Sequence, residues 1–327
     1  MPFFPLTPDC LHLLPHGLRA DLPRGRQLVP VPWLAAQLGR QASVPGWTLW
    51  EVGCDGLEAY WGGHIPGARY WDTRQFEQLP FWNALPLPAM QQLLRHAGIG
   101  PQSTVILYGR NTLAAARLAQ LMLTAGVRDV RLLDGGLPCW CKAGYSLAQG
   151  PQPVAADSFD SLDNLDRCDS SDSSDSFDSA AQALGFAARP DYLIDTAQAR
   201  ALLAQADAAL VSNRTRAEYL GETSGYPYIE ARGEIAGALW GHAGSDGDVN
   251  SMGSLQDADG RMKPAAEIAA LWREAGIGPE MQIAFYCGTG WRASLAFFYA
   301  WLMGWPRISV YDGGWFEWSA DPANPVG

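Results

Sequence analysis

Two tandem α/β domains, each a parallel sheet with helices on both faces, are what this sequence predicts. Three observations carry that expectation. Short landmarks recur in the same order in both halves of the 327 residues, short apolar runs alternate with helical spacing in each half, and an acidic low-complexity tract separates the halves.

The landmarks come first. Ala-Gly-Ile-Gly stands at 97–100 and again at 275–278, and Asp-Gly-Gly at 134–136 and 312–314, both at an offset of 178. Upstream, Gly-His-Ile-Pro-Gly-Ala at 63–68 matches Gly-Glu-Ile-Ala-Gly-Ala at 233–238 at an offset of 170, so the second copy carries eight extra residues, placed within 241–263. Three ordered matches identify a tandem duplication. The expected division is an N-terminal extension over 1–29, a first domain over 30–150, a linker over 151–188 and a second domain over 189–327.

Within the second copy, 209–211 and the continuous apolar run 282–286 read as strands buried on both faces, as in a parallel sheet. Residues 265–275 show helical spacing through Ile268, Leu271 and Trp272 and end at Gly276. A strongly apolar helix over 293–303 closes at Gly304, and 308–311 is the next strand, turned by Asp312-Gly313-Gly314 into a last helix. In the linker an aspartate recurs at every third position from Asp157 to Asp178 with serine between. That period matches neither helix nor strand and the like charges repel, so the tract reads as a solvated, flexible connection.

Composition excludes some function classes. A formal charge of -11 argues against nucleic-acid binding, which asks for a basic face. No apolar run approaches a membrane span. The proline-broken start, MPFFPLTPDCLHLLPHG, is a poor export signal, which points to the cytoplasm, with the periplasm as the alternative should the true start differ. The six cysteines show no paired framework and no Cys-x-x-Cys, so they read as free thiols with no metal site.

One of those thiols stands apart. In Phe285-Tyr286-Cys287-Gly288-Thr289-Gly290-Trp291-Arg292 a cysteine follows a buried strand and precedes a helix, which puts its sulfur at the carboxyl edge of the sheet, where open α/β sheets bind ligands. The glycines let successive N–H groups turn inward as an anion nest, and the following helix aims its positive end at the same point. With the Arg292 guanidinium these features favour the thiolate, the nucleophilic form.

This loop, the Gly-His-Ile-Pro-Gly-Ala block of the first copy and the Asp-Gly-Gly-x-x-x-Trp block resemble the rhodanese (sulfurtransferase) superfamily, over roughly 30–150 and 189–327. The similarity is to the tandem-domain bacterial thiosulfate sulfurtransferases. It implies that Cys287 takes a sulfane sulfur from a small anionic donor, becomes a persulfide and passes the sulfur to cyanide, a thiol or a protein acceptor, without a cofactor. It also implies that Arg292, Arg214 and the loop residues Gly288, Thr289, Gly290 and Trp291 hold the donor. Six residues from Cys287 to Arg292 fit the sulfurtransferases, whereas the phosphatases of this fold use a longer loop. Thiosulfate is favoured as donor by Arg292, 3-mercaptopyruvate is the competitor suggested by the Cys-Gly-Thr-Gly start, and a sulfur carrier that serves only a protein partner is the alternative from another class.

The first copy has Gly109 where the second has Cys287, and Ala114 where it has Arg292, so it is expected to be catalytically silent and to wall the pocket. The second copy departs from the family pattern as well. Ser212 stands where the family commonly has aspartate, two residues before Arg214, and Glu234 stands where the first copy has His64. His242 reads as a surface residue, and Cys139 and Cys141 as incidental thiols.

Overall fold

The computed structural model describes residues 17–39, 46–151 and 185–327. The acidic tract from Asp157 to Asp178 lies outside them, as do Cys10 and Cys168. In the first domain the order is β1 (Leu28–Val29), α1 (Val31–Gly39), β2 (Trp47–Gly53), α2 (Leu57–Gly62), β3 (Arg69–Asp72), the short hairpin β4 (Glu77–Gln78) and β5 (Asn83–Ala84), α3 (Leu87–His96), β6 (Thr104–Tyr108), α4 (Thr112–Ala125), β7 (Asp129–Leu133) and α5 (Gly136–Lys142). The second has β8 (Leu193–Ile194), α6 (Thr196–Leu203), β9 (Ala208–Ser212), α7 (Arg216–Tyr219), β10 (Leu239–Trp240), α8 (Ala265–Glu274), β11 (Gln282–Tyr286), α9 (Trp291–Leu302), β12 (Ile308–Tyr311) and α10 (Gly314–Ala320).

The two main sheets have the same order, β1-β7-β6-β2-β3 and β8-β12-β11-β9-β10, and every pairing within them is parallel. Equivalent strands keep equivalent register: Glu51 pairs with Tyr108 as Ser212 pairs with Tyr286. The duplication read from the landmarks is a duplication of fold. The extra residues of the second copy fall in the long connection from β10 to α8. Among the described residues, no helix is long and apolar enough to cross a membrane, and no cluster of His, Cys, Asp and Glu is placed to hold a metal ion.

Helices α4 and α9 bury almost every residue on all sides and pack against each other, as a helix that is apolar all round must. Through them one hydrophobic cluster runs without a break from Leu107 and Leu118 in the first domain to Phe285 and Phe297 in the second. The polar contacts across this seam are reciprocal. The Ala84 N–H of the first copy donates to Asp312 at 2.8 Å, and the Met262 N–H of the second donates to Asp134 at 2.9 Å. Each Asp-Gly-Gly aspartate thus receives the connection that follows the third strand of the other copy.

A shared core has a consequence for the parts. Residues 185–327 expressed alone are expected to aggregate, because α9 loses the partner that covers its outer face. Size-exclusion chromatography checks this; a fragment that elutes as a folded monomer would show that the seam is dispensable.

Candidate active site

Strand β11 is buried from Ile283 to Tyr286 and delivers Cys287, wholly buried, at the sheet's carboxyl edge. Two bonds from α10 clamp the loop that follows: Trp315 N–H donates to the Cys287 carbonyl at 2.7 Å and Phe316 N–H to that of Gly288 at 3.1 Å. Inside the loop the Gly290 N–H donates to Cys287 Sγ at 3.2 Å. Glycine is required twice here. A Cβ on residue 288 would lie 2.2 Å from the Tyr226 ring, and residue 290 sits at φ +96° as the N-cap of α9. The first-turn N–H groups of α9 have no acceptor within the helix and surround the same point.

Arg292 and Arg214 are both buried, and both are already engaged. Arg292 meets Glu218 through two bonds of 2.7 and 2.8 Å and donates to the Tyr226 hydroxyl at 3.0 Å. Burial would raise the Glu218 carboxyl, but the Arg292 bonds and charge outweigh it and hold the group below the usual range. Arg214 donates to the Gly233 carbonyl at 2.6 Å, lies 3.5 Å from Glu234 and stacks over the Trp315 ring at 4.9 Å. It does not line the cavity beside the loop.

That cavity, about 320 Å³, is walled by Thr289, Trp291 and Arg292 of the loop, by Tyr226 and Tyr228, and by Glu77 and Trp82 of the first domain. Burial raises the phenols of both Tyr226 and Tyr228. Glu77 accepts from the Trp291 indole N–H at 3.0 and 3.1 Å and from Arg117 Nε at 2.9 Å. Arg117, on α4 and wholly buried, also donates to Asp312. A Cβ on Gly290 would come within 3.0 Å of its Nη1. The first domain therefore walls the cavity with charge as well as bulk.

The sequence brings to this place Cys287, Gly288, Thr289, Gly290, Trp291 and Arg292. It missed Glu77, Arg117, Tyr226, Tyr228 and Glu218. Glu218 alone had a local signal, since Thr215-Arg-Ala-Glu218 is a capping box, which the structure contains. The same carboxylate closes that cap and clamps Arg292.

The two departures of the second copy touch each other. Ser212 Oγ donates to Glu234 at 2.6 Å, and Glu234 also accepts from the Ile235 N–H at 2.9 Å and from the Tyr286 hydroxyl. In the first copy the acid is Glu51, beside His64 and Tyr108. His242 is half-buried under Trp240, with ring centroids 3.9 Å apart, where the sequence placed it on the surface. A ring packed at a tilt on its neighbour's, at φ +62°, is not visible in a local pattern.

A larger depression, about 610 Å³, lies over the corresponding loop of the first copy, between Arg110, Asn111 and the 248–260 connection. Gly109, at the position equivalent to that of Cys287, begins that loop, and a Cβ on it would lie 2.3 Å from the Asn111 carbonyl. Cys139 borders this depression; burial raises its thiol, and its Sγ donates to the Asp259 carbonyl at 3.2 Å.

A model of the rhodanese-like domain matches residues 46–143 and 195–321. The thiosulfate sulfurtransferase YnjE of Escherichia coli is 45% identical over 93% of this chain and 66% of its own, so the chain spans about two thirds of that relative's length. The crystal structure of YnjE superposes with a TM-score of 0.80 at 44% identity, covering 94% of this chain and 69% of the other. A probable 3-mercaptopyruvate sulfurtransferase of Pseudomonas aeruginosa is 31% identical over 83% of this chain and 86% of its own. The anaerobic ergothioneine biosynthesis enzyme of Chlorobium limicola, solved with its natural substrate trimethyl histidine, is 35% identical with a TM-score of 0.78, covering 93% of this chain and 71% of the other. With the repeat, the common sheet order and the Cys287 loop, these matches place the chain in the rhodanese-like family, with two copies of the domain.

Proposed function

We propose that the chain is a sulfurtransferase that moves a sulfane sulfur from thiosulfate to an acceptor through a persulfide on Cys287. The observation that carries it is the Cys287 sulfur at the strand-to-helix turn with the Gly290 N–H aimed at it, beneath a cavity lined by its own loop. The thiolate attacks the outer sulfur of thiosulfate, the sulfur–sulfur bond breaks, and sulfite leaves with the electron pair. The acceptor then attacks the outer sulfur of the persulfide and the Cys287 thiolate departs. No step needs a metal or an organic cofactor.

Arg292 and Arg214 are matched by Glu218 and Glu234, so the donor's charge falls mainly to the inward N–H groups of Gly288 to Arg292. Arg292 acts by holding Tyr226 and the first turn of α9, and Arg214 by fixing the strand end behind the loop. YnjE, a thiosulfate sulfurtransferase, supports this donor; the Pseudomonas relative supports 3-mercaptopyruvate as the competitor.

The cavity favours one further reading. Its size and four aromatic walls exceed what cyanide needs and suit an organic acceptor, in line with the relative solved with trimethyl histidine. Steady-state kinetics with both donors, joined to mass spectrometry of the Cys287 peptide, is the test. Thiosulfate is expected to give the higher kcat/KM and to add the mass of one sulfur atom at Cys287. Sulfur added elsewhere would overturn the assignment, and a higher kcat/KM with 3-mercaptopyruvate would change the donor.

A further inference from the structure

The cavity beside the Cys287 loop faces an unbalanced buried charge, and the silent copy supplies it. On the loop side Arg292 is matched by Glu218, and behind it Arg214 by Glu234. On the opposite wall a single guanidinium, Arg117, serves two carboxylates, Glu77 and Asp312. Glu77 is the member of that trio that lines the cavity, with its side chain only 1% exposed. The Trp291 indole and Arg117 Nε hold it there, so it cannot swing out to water.

Trp82, Tyr226, Tyr228 and Trp291 line the same cavity as Glu77. Aromatic faces attract cations, most strongly where water is excluded. A buried carboxylate in excess of the local arginines is costly until a positive charge joins it.

We propose that Glu77 determines specificity, selecting as sulfur acceptor an organic molecule with a quaternary or protonated amine over neutral molecules of the same shape. This rests on the reading that Cys287 carries the sulfur. A persulfide is itself an anion, so the loaded site with Glu77 ionised disfavours an anionic acceptor. Burial, opposed by Arg117, pushes the Glu77 carboxyl up to about 7. It can therefore take a proton while an anionic donor occupies the cavity and release it when a cation arrives.

The probes are choline and its tert-butyl analogue, in which carbon replaces the quaternary nitrogen. Binding to the full chain is followed by tryptophan fluorescence, since Trp82 and Trp291 line the cavity. Choline is expected to bind about tenfold more tightly than the neutral analogue. Glu77→Gln keeps an acceptor for Trp291 and removes the charge, so it should bring the two affinities together. Tyr228→Leu, at a residue 48% exposed, should weaken choline alone and serves if the first variant does not fold. Equal affinities in the parent chain, no binding of either probe, or an undiminished preference in Glu77→Gln would overturn the proposal. Thiosulfate labelling of Cys287, measured in parallel, separates the two failures: without label the sulfurtransferase reading falls, and with label but no preference only the role of Glu77 falls.

Discussion

Cys287→Ser is expected to fold as the parent chain does and to lose sulfur transfer by at least about a thousandfold, the scale on which a covalent nucleophile acts. The fold survives because serine is nearly the same size and its Oγ can accept the Gly290 N–H that now meets sulfur. The chemistry does not survive, because a hydroxyl is far too basic to ionise at this turn and an oxygen in place of sulfur cannot form the persulfide. Serine at Cys54, Cys139 or Cys141 should retain most activity, although Cys54 borders the same cavity. Initial rates of thiocyanate formation from thiosulfate and cyanide are the measurement; turnover of Cys287→Ser within about tenfold of the parent would remove Cys287 from the mechanism.

Arg117→Met should be the most destabilising single change at the seam. Arg117 is wholly buried, and its removal strands two carboxylates, Glu77 and Asp312, in the interior. Breaking such a pair from one side costs about 3–5 kcal/mol. The loss also has a predictable pH dependence. Without the guanidinium, the Glu77 carboxyl, already raised by burial, rises further, so the native state holds a proton that the unfolded chain gives up. Groups raised in this way favour the fold at low pH and lose that favour as pH climbs through the folded-state value. The gap between variant and parent should therefore be widest near pH 8 and narrow toward pH 5, and Glu77→Gln in the same chain should recover part of it. Urea unfolding at the two pH values measures this; a difference below about 1 kcal/mol at pH 8 would mean that the carboxylates find other partners.

The duplication, the parallel sheets and the Cys287 loop were legible because each is local or periodic: a run of apolar residues, a glycine pair, a tripeptide at a fixed offset. Contacts between the copies were not. An offset compares position with equivalent position, Gly109 with Cys287 and Ala114 with Arg292, whereas Glu77 and Arg117 act on residues to which they are not equivalent. The arginines show a second limit. Their charge was visible, and it suggested an anionic donor, but the carboxylates that absorb it lie on a different helix and in a different loop. Glu218 was readable as a helix cap and unreadable as the partner of Arg292, since one carboxylate performs both tasks. Tyr226 and Tyr228 sit in an irregular connection whose path no period describes.

The hydrogen bond between Ser212 and Glu234 bears on how the second copy could have diverged from the first. Behind each loop there is one acid, on the strand in the first copy and on the following turn in the second. Position by position, these look like two independent losses of motif. In space they are one exchange, and a chain crossing between the arrangements by single substitutions must pass through a state with either two acids in contact or none beside the tyrosine. Two buried acids in contact repel, so the two positions are coupled, and what one tolerates depends on the residue at the other.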